Sequence, residues 1–288
     1  MIKVASGWTD YEILATGSGM KLERWGKFCL LRPDPQVIWP ERLDLNSYEK
    51  LSAVYKRSST GGGKWEYYKK IPENFSVERQ DLKFSLKLMG FKHTGLFPEQ
   101  AVNWDEMSGL IRGAGRKINV LNLFAYTGAA TVACAKAGAS VCHVDAAKAM
   151  VERAGINARL SGAPENSIRY IIDDCIKFVE REIRRGRCYD AVIMDPPSYG
   201  RGPSGELWKL EDNLYKLVRK TVDLISDKPL FYLINSYTTG LQPSVIGNIL
   251  NLNLSAFKGE SEVYEVALPT QEEGIILPCG CSGIYRFN

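Results

Sequence analysis

The pattern of apolar and polar residues alternates, in the middle of the chain, between short apolar runs and longer helix-like stretches. Four apolar runs rich in Val, Ile, Leu or Ala end in acidic or amide residues, namely Asn122, Asp145, Asp174 and Asp195. This alternation predicts an α/β fold with a doubly wound, mostly parallel sheet. Ligands of such sheets lie outside the carboxyl ends of the strands, so we expect the four side chains to face one ligand.

The segment NLFAYTG (122–128) has the position of a nucleotide-binding turn. A dinucleotide enzyme of the Rossmann type needs three glycines there. Phe124 and Tyr126 stand where glycine is expected, and after Thr127 only Gly128 and the small residues that follow allow close approach of the backbone. The aromatic residues disfavour a pyrophosphate and suit a cofactor without phosphate, such as S-adenosylmethionine. A nicotinamide-dependent dehydrogenase is the rival on the same sheet.

Two acidic residues are candidates for contact with the nucleoside part of the cofactor. Asp145 follows Gly128 by 17 residues and is placed to accept hydrogen bonds from two ribose hydroxyls. Asp174 is predicted to accept from the adenine amino group. A role as a helix cap is the alternative for both acids, and Asp173 competes with Asp174 for the adenine role.

The segment DPPSYGRGPSGE (195–206) is the candidate for the chemical step. Asp195 ends the fourth run, and Pro196 and Pro197 lack N–H groups and expose their carbonyls. We expect these groups to accept hydrogen bonds from a substrate amine. Tyr199 is predicted to stack on a flipped base, the alternative being that Pro-Pro ends the strand and Tyr199 caps the core. We expect residues 200–206 to form a mobile substrate lid.

Together these motifs resemble class I S-adenosylmethionine-dependent methyltransferases of the bacterial RlmI and RlmK type, which act on 23S ribosomal RNA. The resemblance covers about residues 90–288 and is carried by GLFPEQ (95–100), NLFAYTG (122–128), the VD at Asp145, DDCIKF (173–178) and DPPSYGRG (195–202). It implies a Rossmann-like sheet of seven strands, with RNA as the partner.

The resemblance also implies that GLFPEQ folds over the cofactor, where Phe97 or Gln100 contacts adenine or the methionine carboxylate. The alternative is a turn fixed by Pro98 before an amphipathic helix.

Whether the methylated atom is a carbon or a nitrogen depends on the presence of a nucleophilic cysteine. Relatives that methylate carbon 5 of cytosine carry a nucleophilic Cys in a Ser-Cys-Ser stretch after the fifth strand, whereas FYLINSYTTG (231–240) has none. The sequence therefore favours a base nitrogen, with Cys279 or Cys281 as a non-standard nucleophile in the alternative. A non-catalytic RNA-binding relative on the same fold is the other alternative.

Short strand-like runs broken by Gly and Pro predict a small β-rich domain over residues 1–92, followed by the methyltransferase domain over 93–288. WEYYKKI (65–71) and LKFSLKLM (82–89) are predicted to form a hairpin. SSTGGGK (58–64) lacks the Ser or Thr and the helix that must follow a phosphate-binding loop, so we expect a flexible tip.

Composition adds limits. Lys and Arg number 37 against 33 Asp and Glu, and a net charge of +4 does not by itself indicate a nucleic-acid binder. The basic stretch REIRRGR (181–187) is expected to stabilise a helix C-terminus, with RNA contact as the alternative. The seven cysteines form no metal-binding pattern, so no metal is expected. No apolar run is long enough to span a membrane, which predicts a cytoplasmic protein of undetermined oligomeric state.

Overall fold

The structure, a computed structural model, describes residues 1–58, 62–90, 92–201 and 207–288. Residues 59–61 of the expected flexible tip and 202–206 of the expected lid lie outside this part of the chain. The chain divides into two compact units, one formed by residues 1–3, 102–266 and 280–288, the other by residues 4–101 and 267–279. The predicted boundary after residue 92 therefore falls inside the second, smaller unit.

The smaller unit is rich in β-structure, as predicted. The chain begins with β1 (Ile2–Val4), most of which belongs to the larger unit. The strands that follow are β2 (Tyr11–Gly17), β3 (Met20–Trp25), β4 (Phe28–Pro33), β5 (Leu51–Arg57), β6 (Gly63–Tyr67), β7 (Phe75–Arg79) and β8 (Leu82–Leu86). β2 to β6 form a five-stranded sheet in chain order, and β7 pairs with β8. A 3-10 helix, Pro98–Gln100, lies near the end of residues 4–101, the first of the two stretches that form this unit.

The predicted hairpin between WEYYKKI and LKFSLKLM is wrong. β6 pairs antiparallel with β5, and β8 pairs antiparallel with β7. The run FSVER, which alternates between the two faces, supplies a partner much nearer in sequence, and Gln80 in the connecting turn adopts a left-handed φ of 53°. The shorter loop has the smaller closure entropy, so local pairing prevails.

The larger unit contains the doubly wound sheet. The remaining strands of the chain lie wholly or mostly in the larger unit, and they are β9 (Asn119–Leu123), β10 (Ser140–Asp145), β11 (Ile168–Ile172), β12 (Ala191–Met194), β13 (Tyr199–Arg201), β14 (Leu207–Lys209), β15 (Phe231–Ser236), β16 (Gly259–Pro269) and β17 (Ile276–Phe287). Its helices are α1 (Ala101–Gly113), α2 (Ala129–Lys136), α3 (Lys148–Leu160), α4 (Cys175–Arg184), α5 (Leu210–Thr221) and α6 (Pro243–Leu254).

The described residues form an eight-stranded sheet in the order β1-β16-β17-β15-β12-β9-β10-β11. The five strands from β15 to β11 are parallel, and β17 is antiparallel to β15. The α/β class and the mostly parallel sheet are confirmed. The eighth strand is β1, whose three residues were too few to give a recognisable alternating pattern.

The strand order of the parallel part of the sheet reverses at one point. The chain runs from β9 through β10 to β11 and then returns, so that β12 lies on the other side of β9. Strand order thus reverses between β9 and β12, the position at which doubly wound sheets bind ligands. The central strands are buried because helices cover both faces, with Leu121, Val144 and Met194 inside one apolar core.

Candidate functional site

The loop after β9 has an unusual backbone. Phe124, Tyr126 and Gly128 have φ values of 54°, 50° and 80°. A left-handed backbone costs an L-residue about 1–2 kcal/mol, and a bulky side chain in this region is uncommon. Such strain persists only where the surroundings enforce it, and it concentrates at functional sites. The two aromatic residues thus hold backbone conformations that glycine would adopt freely.

Neighbouring strands and helices fix this loop. The Ala125 N–H donates to the Val144 carbonyl at 3.0 Å, and the Tyr126 N–H donates to Asp145 Oδ2 at 2.8 Å. The buried Asn157 side chain of α3 donates to the Thr127 carbonyl at 2.8 Å. Hydrogen bonds to β10 and α3 therefore hold Ala125, Tyr126 and Thr127 in place.

Gly128 is required for packing. It precedes α2 as the N-cap, and a Cβ built on it would lie 2.7 Å from the Cβ of Ala154 in α3. This glycine therefore allows α2 and α3 to approach closely. As a glycine, this N-cap residue makes no side-chain hydrogen bond to the first turn of α2.

Asp145 lies at the end of β10, and each of its carboxylate oxygens accepts a backbone hydrogen bond. Its Oδ2 accepts from Tyr126, and its Oδ1 accepts from the Ala147 N–H at 2.8 Å. Burial raises the pKa of this carboxyl, and the two backbone hydrogen bonds oppose that rise. A carboxylate has about four lone-pair sites, so about two acceptor sites remain for a ligand.

Asp174 is the N-cap of α4, where its Oδ1 accepts from the Lys177 N–H at 2.9 Å. Asp173 forms an ion pair with Arg181. The capping alternative considered for Asp174 is thus part of its role, and Arg181 of the basic stretch has a structural partner.

Asn122 lies inside β9 and is buried, with 2% of its surface exposed. Its Nδ2 donates to Thr131 Oγ1 at 2.9 Å, and Thr131 Oγ1 lies 2.9 Å from His143 Nδ1. Burial lowers the pKa of His143 to about 4. The imidazole is therefore neutral near pH 7, and one hydrogen bond joins its Nδ1 to the Thr131 hydroxyl. This buried network braces α2 against β9 and β10.

Asp195 directly follows β12, beside the reversal point. Its Oδ1 accepts from Asn235 Nδ2 of β15 at 2.9 Å. Pro196 is buried and Pro197 is exposed. The Pro197 carbonyl accepts from the indole N–H of Trp208 at 2.6 Å, so one of the two carbonyls expected to face substrate already has a donor.

The segment after Pro197 forms a two-stranded antiparallel ribbon of β13 and β14. Tyr199 on this ribbon is 56% exposed, which is inconsistent with a core cap. Trp208 lies opposite Gly200, and its ring centroid is 5.2 Å from that of Phe124. Trp208 thus joins the β9 loop to the segment of Asp195. Trp208 was not predicted from the sequence, because a single Trp in a polar stretch gives no repeating apolar pattern.

Phe97 and Gln100 belong to the smaller unit, at the 3-10 helix Pro98–Gln100. Both are partly exposed, and the Phe97 ring packs edge-on against His93 with centroids 5.6 Å apart. Their contact with a cofactor stays a prediction.

The two cysteines considered as nucleophiles have raised pKa values. Burial raises the pKa of Cys281 to about 11, and burial together with Glu99 raises that of Cys279 well above its ordinary value. The Cys281 thiol donates to the Leu241 carbonyl at 3.5 Å. Because the thiolate is the nucleophilic form, neither side chain is activated near neutral pH.

Within the described ranges, no group of three or more His, Cys, Asp or Glu side chains is arranged to hold a metal ion. Over the same residues, no helix is long and apolar enough to cross a membrane.

Comparison with known families gives a match over two thirds of the chain. A family model described as S-adenosylmethionine-dependent methyltransferase matches residues 50–243. Ribosomal RNA large subunit methyltransferase I of Photobacterium profundum is 26% identical over 71% of this chain and 55% of its own length. Ribosomal RNA large subunit methyltransferase K of Neisseria meningitidis is 24% identical over 76% of this chain and 64% of its own length. The chain thus spans less than two thirds of these relatives.

Solved structures agree on the fold. The structure of a SAM-dependent methyltransferase from Agrobacterium tumefaciens matches with a TM-score of 0.94 and 30% identity, over 99% of this chain and 93% of the other. The structure of SMU.776 complexed with SAH matches with a TM-score of 0.76 and 20% identity, over 97% of this chain and 76% of the other. The second likeness concerns the fold alone.

Proposed function

Because the chain belongs to the family of S-adenosylmethionine-dependent methyltransferases, we propose that it methylates a base nitrogen in ribosomal or other structured RNA. The observation that carries this proposal is the placement of Asp195, Pro196 and Pro197 at the end of β12, beside the strained β9 loop and next to the exposed Tyr199. The cofactor is S-adenosylmethionine.

The donor and acceptor groups of the crevice fit this cofactor. Asp145 retains acceptor capacity for the ribose hydroxyls after accepting from Tyr126 and Ala147. The N-terminus of α2, whose N-cap is Gly128, has backbone N–H groups of the kind that attract a carboxylate. We assign the loop residues Phe124, Tyr126 and Thr127 to the walls of the cofactor site and Gly128 to its support.

Some of the remaining predicted residues are proposed to contact the cofactor, and one is proposed to support the β9 loop. Asp174 keeps the adenine amino group as its proposed partner, in addition to capping α4. Asn122 is buried and bonded to Thr131, so we assign it to the support of the loop. Phe97 and Gln100 remain proposed contacts of the adenine or methionine part.

When bound, the cofactor supplies a methyl group on a sulfonium, whose C–S bond breaks with the electron pair remaining on sulfur. The leaving group needs no acid, so the protein's contribution is alignment, for which effective molarities reach about 10⁵ M or more. Asp195 accepts a hydrogen bond from the target amine and directs its lone pair. As the N–C bond forms, Asp195 is placed to take the proton that the nitrogen loses.

RNA as the substrate class is supported by two observations. The curated relatives are named for methylation of large-subunit ribosomal RNA. Tyr199 offers an exposed aromatic ring of the kind on which bases stack, a contact worth about 1–3 kcal/mol. With this substrate, the protein is proposed to act in the cytoplasm.

A nitrogen target is favoured over carbon 5 of cytosine. The β15 segment that carries the nucleophilic Cys in carbon-methylating relatives has Asn235, Ser236 and Tyr237 here. The raised pKa values of Cys279 and Cys281 disfavour a substitute nucleophile. The nicotinamide alternative is not supported, because the family match concerns a different cofactor and the β9 loop lacks the three glycines.

The direct test is transfer of tritium from methyl-labelled S-adenosylmethionine to total bacterial RNA. We expect incorporation with the unmodified protein and none above background with Asp195→Ala, because alignment of the amine is lost. Asp227→Ala, at a position outside the crevice on the loop before β15, is the matched control and should retain activity. Incorporation by Asp195→Ala at the full rate, or by none of the proteins, would contradict the proposal.

A further inference from the structure

A line of buried polar side chains leads away from Asp195 through the larger unit. Asn235 Nδ2 donates to Asp195 Oδ1 at 2.9 Å, and Ser282 Oγ donates to Asn235 Oδ1 at 2.7 Å. Asn103 Nδ2 donates to Ser282 Oγ at 3.0 Å, and the Tyr264 hydroxyl donates to Asn103 Oδ1 at 2.6 Å. We refer to Tyr264, Asn103, Ser282 and Asn235 as the polar chain.

The sheet register creates this line. Asn235 and Ser282 are directly paired residues of β15 and β17, and Met194 is paired with Ile234, which puts Asp195 level with Asn235. Directly paired residues of antiparallel strands have neighbouring side chains on one face. The four members of the polar chain are at most 1% exposed. A polar group at such a position would be costly if unpaired, and each of these is paired.

The carboxylate determines the direction of every bond. An ionised carboxylate only accepts, so Asn235 must present its amide nitrogen to Asp195 and its oxygen to Ser282. Ser282 must then donate its single hydroxyl proton to Asn235 and accept from Asn103. The Asn103 oxygen is left facing Tyr264, which must donate. The reverse order would place the Asn235 oxygen against the carboxylate.

The far end is suited to donation. Burial, with the neighbouring carboxylates of Glu106 and Glu262, raises the pKa of Tyr264, so its hydroxyl keeps its proton near neutral pH. The Lys3 ammonium lies 4.0 Å from the centre of the same ring. Chains of hydrogen bonds in a low-dielectric interior polarise one another, and their orientation is set in advance of any ligand.

We propose that the polar chain is a positioning device for methyl transfer, in which Ser282, Asn103 and Tyr264 lock the Asn235 amide in the one orientation that holds the Asp195 carboxylate towards the target amine. This inference rests on the proposed function. Asn235 contacts Asp195 directly, and Ser282, Asn103 and Tyr264 are positioning residues that act through Asn235.

The test combines a kinetic and a spectroscopic measurement. Ser282→Ala removes the donor that fixes the Asn235 oxygen, so we expect kcat to fall about 10-fold, equivalent to about 1.4 kcal/mol. The Kd for S-adenosylhomocysteine should change less than about 2-fold, because Asp145 is untouched. In protein labelled with ¹⁵N-asparagine, the Asn235 side-chain signal, assigned by its loss in Asn235→Leu, should shift.

Tyr264→Phe extends the test to the far end with a minimal change of shape. It should lower kcat less than Ser282→Ala and shift the same Asn235 signal less. The matched control is Tyr232→Phe, which removes another fully buried tyrosine hydroxyl, one bonded to Thr221. The control should leave kcat and the Asn235 signal unchanged, although it removes the same atom from the interior.

The outcomes separate the two proposals. Unchanged kcat and an unchanged Asn235 signal in Ser282→Ala would overturn the polar chain while leaving the proposed methyl transfer intact. Equal kinetic losses in Tyr264→Phe and Tyr232→Phe would also overturn it, because only general destabilisation would then be at work. A shifted signal in a protein that transfers no methyl group to RNA would overturn the proposed function and, with it, the positioning role.

Discussion

At the scale of single residues, the site depends on side chains that control the backbone around them. Phe124 and Tyr126 adopt left-handed conformations that their side chains disfavour, and Asp145 supplies the acceptor that holds one of them. Gly128 also has a positive φ, but a side chain at this position is excluded for a second reason, because α3 leaves no space for a Cβ. These two kinds of constraint are separable by substitution.

Gly128→Ala is expected to lower the free energy of unfolding by about 2 kcal/mol or more, combining a strained φ with an overpacked contact to Ala154. Gly138→Ala is the matched control, since Gly138 also has a positive φ, 106°, but no atom within 4 Å of the built Cβ. Gly138→Ala should lower the free energy of unfolding by about 1 kcal/mol. Urea unfolding measures both, and equal losses would show that contact with α3 is unimportant.

His143 gives an expectation for pH. Its pKa is about 4 in the folded protein against an ordinary value of 6.5, so the unfolded chain binds more protons between these values. Stability should therefore decrease as the pH falls from 6.5 to 4, by at most about 1.4 kcal/mol per pH unit from this residue. His143→Gln, measured by urea unfolding across this range, should show a smaller decrease. An unchanged slope would exclude His143 as a source.

At the scale of elements, the ribbon of β13 and β14 presents Tyr199 while Trp208 fastens it to Pro197 and packs on Phe124. The Ser198 hydroxyl accepts from Thr238 at 2.7 Å, which anchors the start of the ribbon to the segment after β15. This arrangement exposes one aromatic ring on a braced support.

Tyr199→Ala should weaken binding of structured RNA about 10-fold, within the range of about 1–3 kcal/mol for a stacked base, while Tyr199→Phe keeps the ring and the affinity. Tyr215 on α5 is 46% exposed, so Tyr215→Ala controls for loss of any surface tyrosine. Filter binding at one fixed salt concentration compares the four proteins. An equal effect of the two alanine substitutions would remove the stacking role.

The elements also show what the sequence could and could not predict. The strands β9 to β12 were predicted from apolar runs, because parallel strands covered on both faces leave an unbroken hydrophobic signal. The predicted pairing of β6 with β8 is wrong, because an alternating pattern identifies a strand but not the strand with which it pairs. The ribbon was missed because its strands have three residues each.

At the scale of the whole molecule, the order of strands brings residues far apart in sequence to one edge of the sheet. Asp145 ends β10 and Asp195 follows β12, the two strands that flank β9. The ends of the apolar runs predicted both positions. The polar chain behind Asp195 could not be predicted, because it depends on the register of β15 with β17 and on one turn of α1. Asn235 lies in the stretch FYLINSYTTG (231–240), which the sequence analysis considered for its lack of cysteine and not for a contact with Asp195.

The measurement that tests the central claim most directly is calorimetric titration with S-adenosylhomocysteine of the unmodified protein, Asp145→Ala and Asp173→Ala. The last variant removes a neighbouring strand-end acid that is paired with Arg181. We expect micromolar binding by the unmodified protein and by Asp173→Ala, and no measurable binding by Asp145→Ala, because the proposed ribose acceptor is lost. Equal affinity in all three proteins would contradict the cofactor site described at the carboxyl edge of β10.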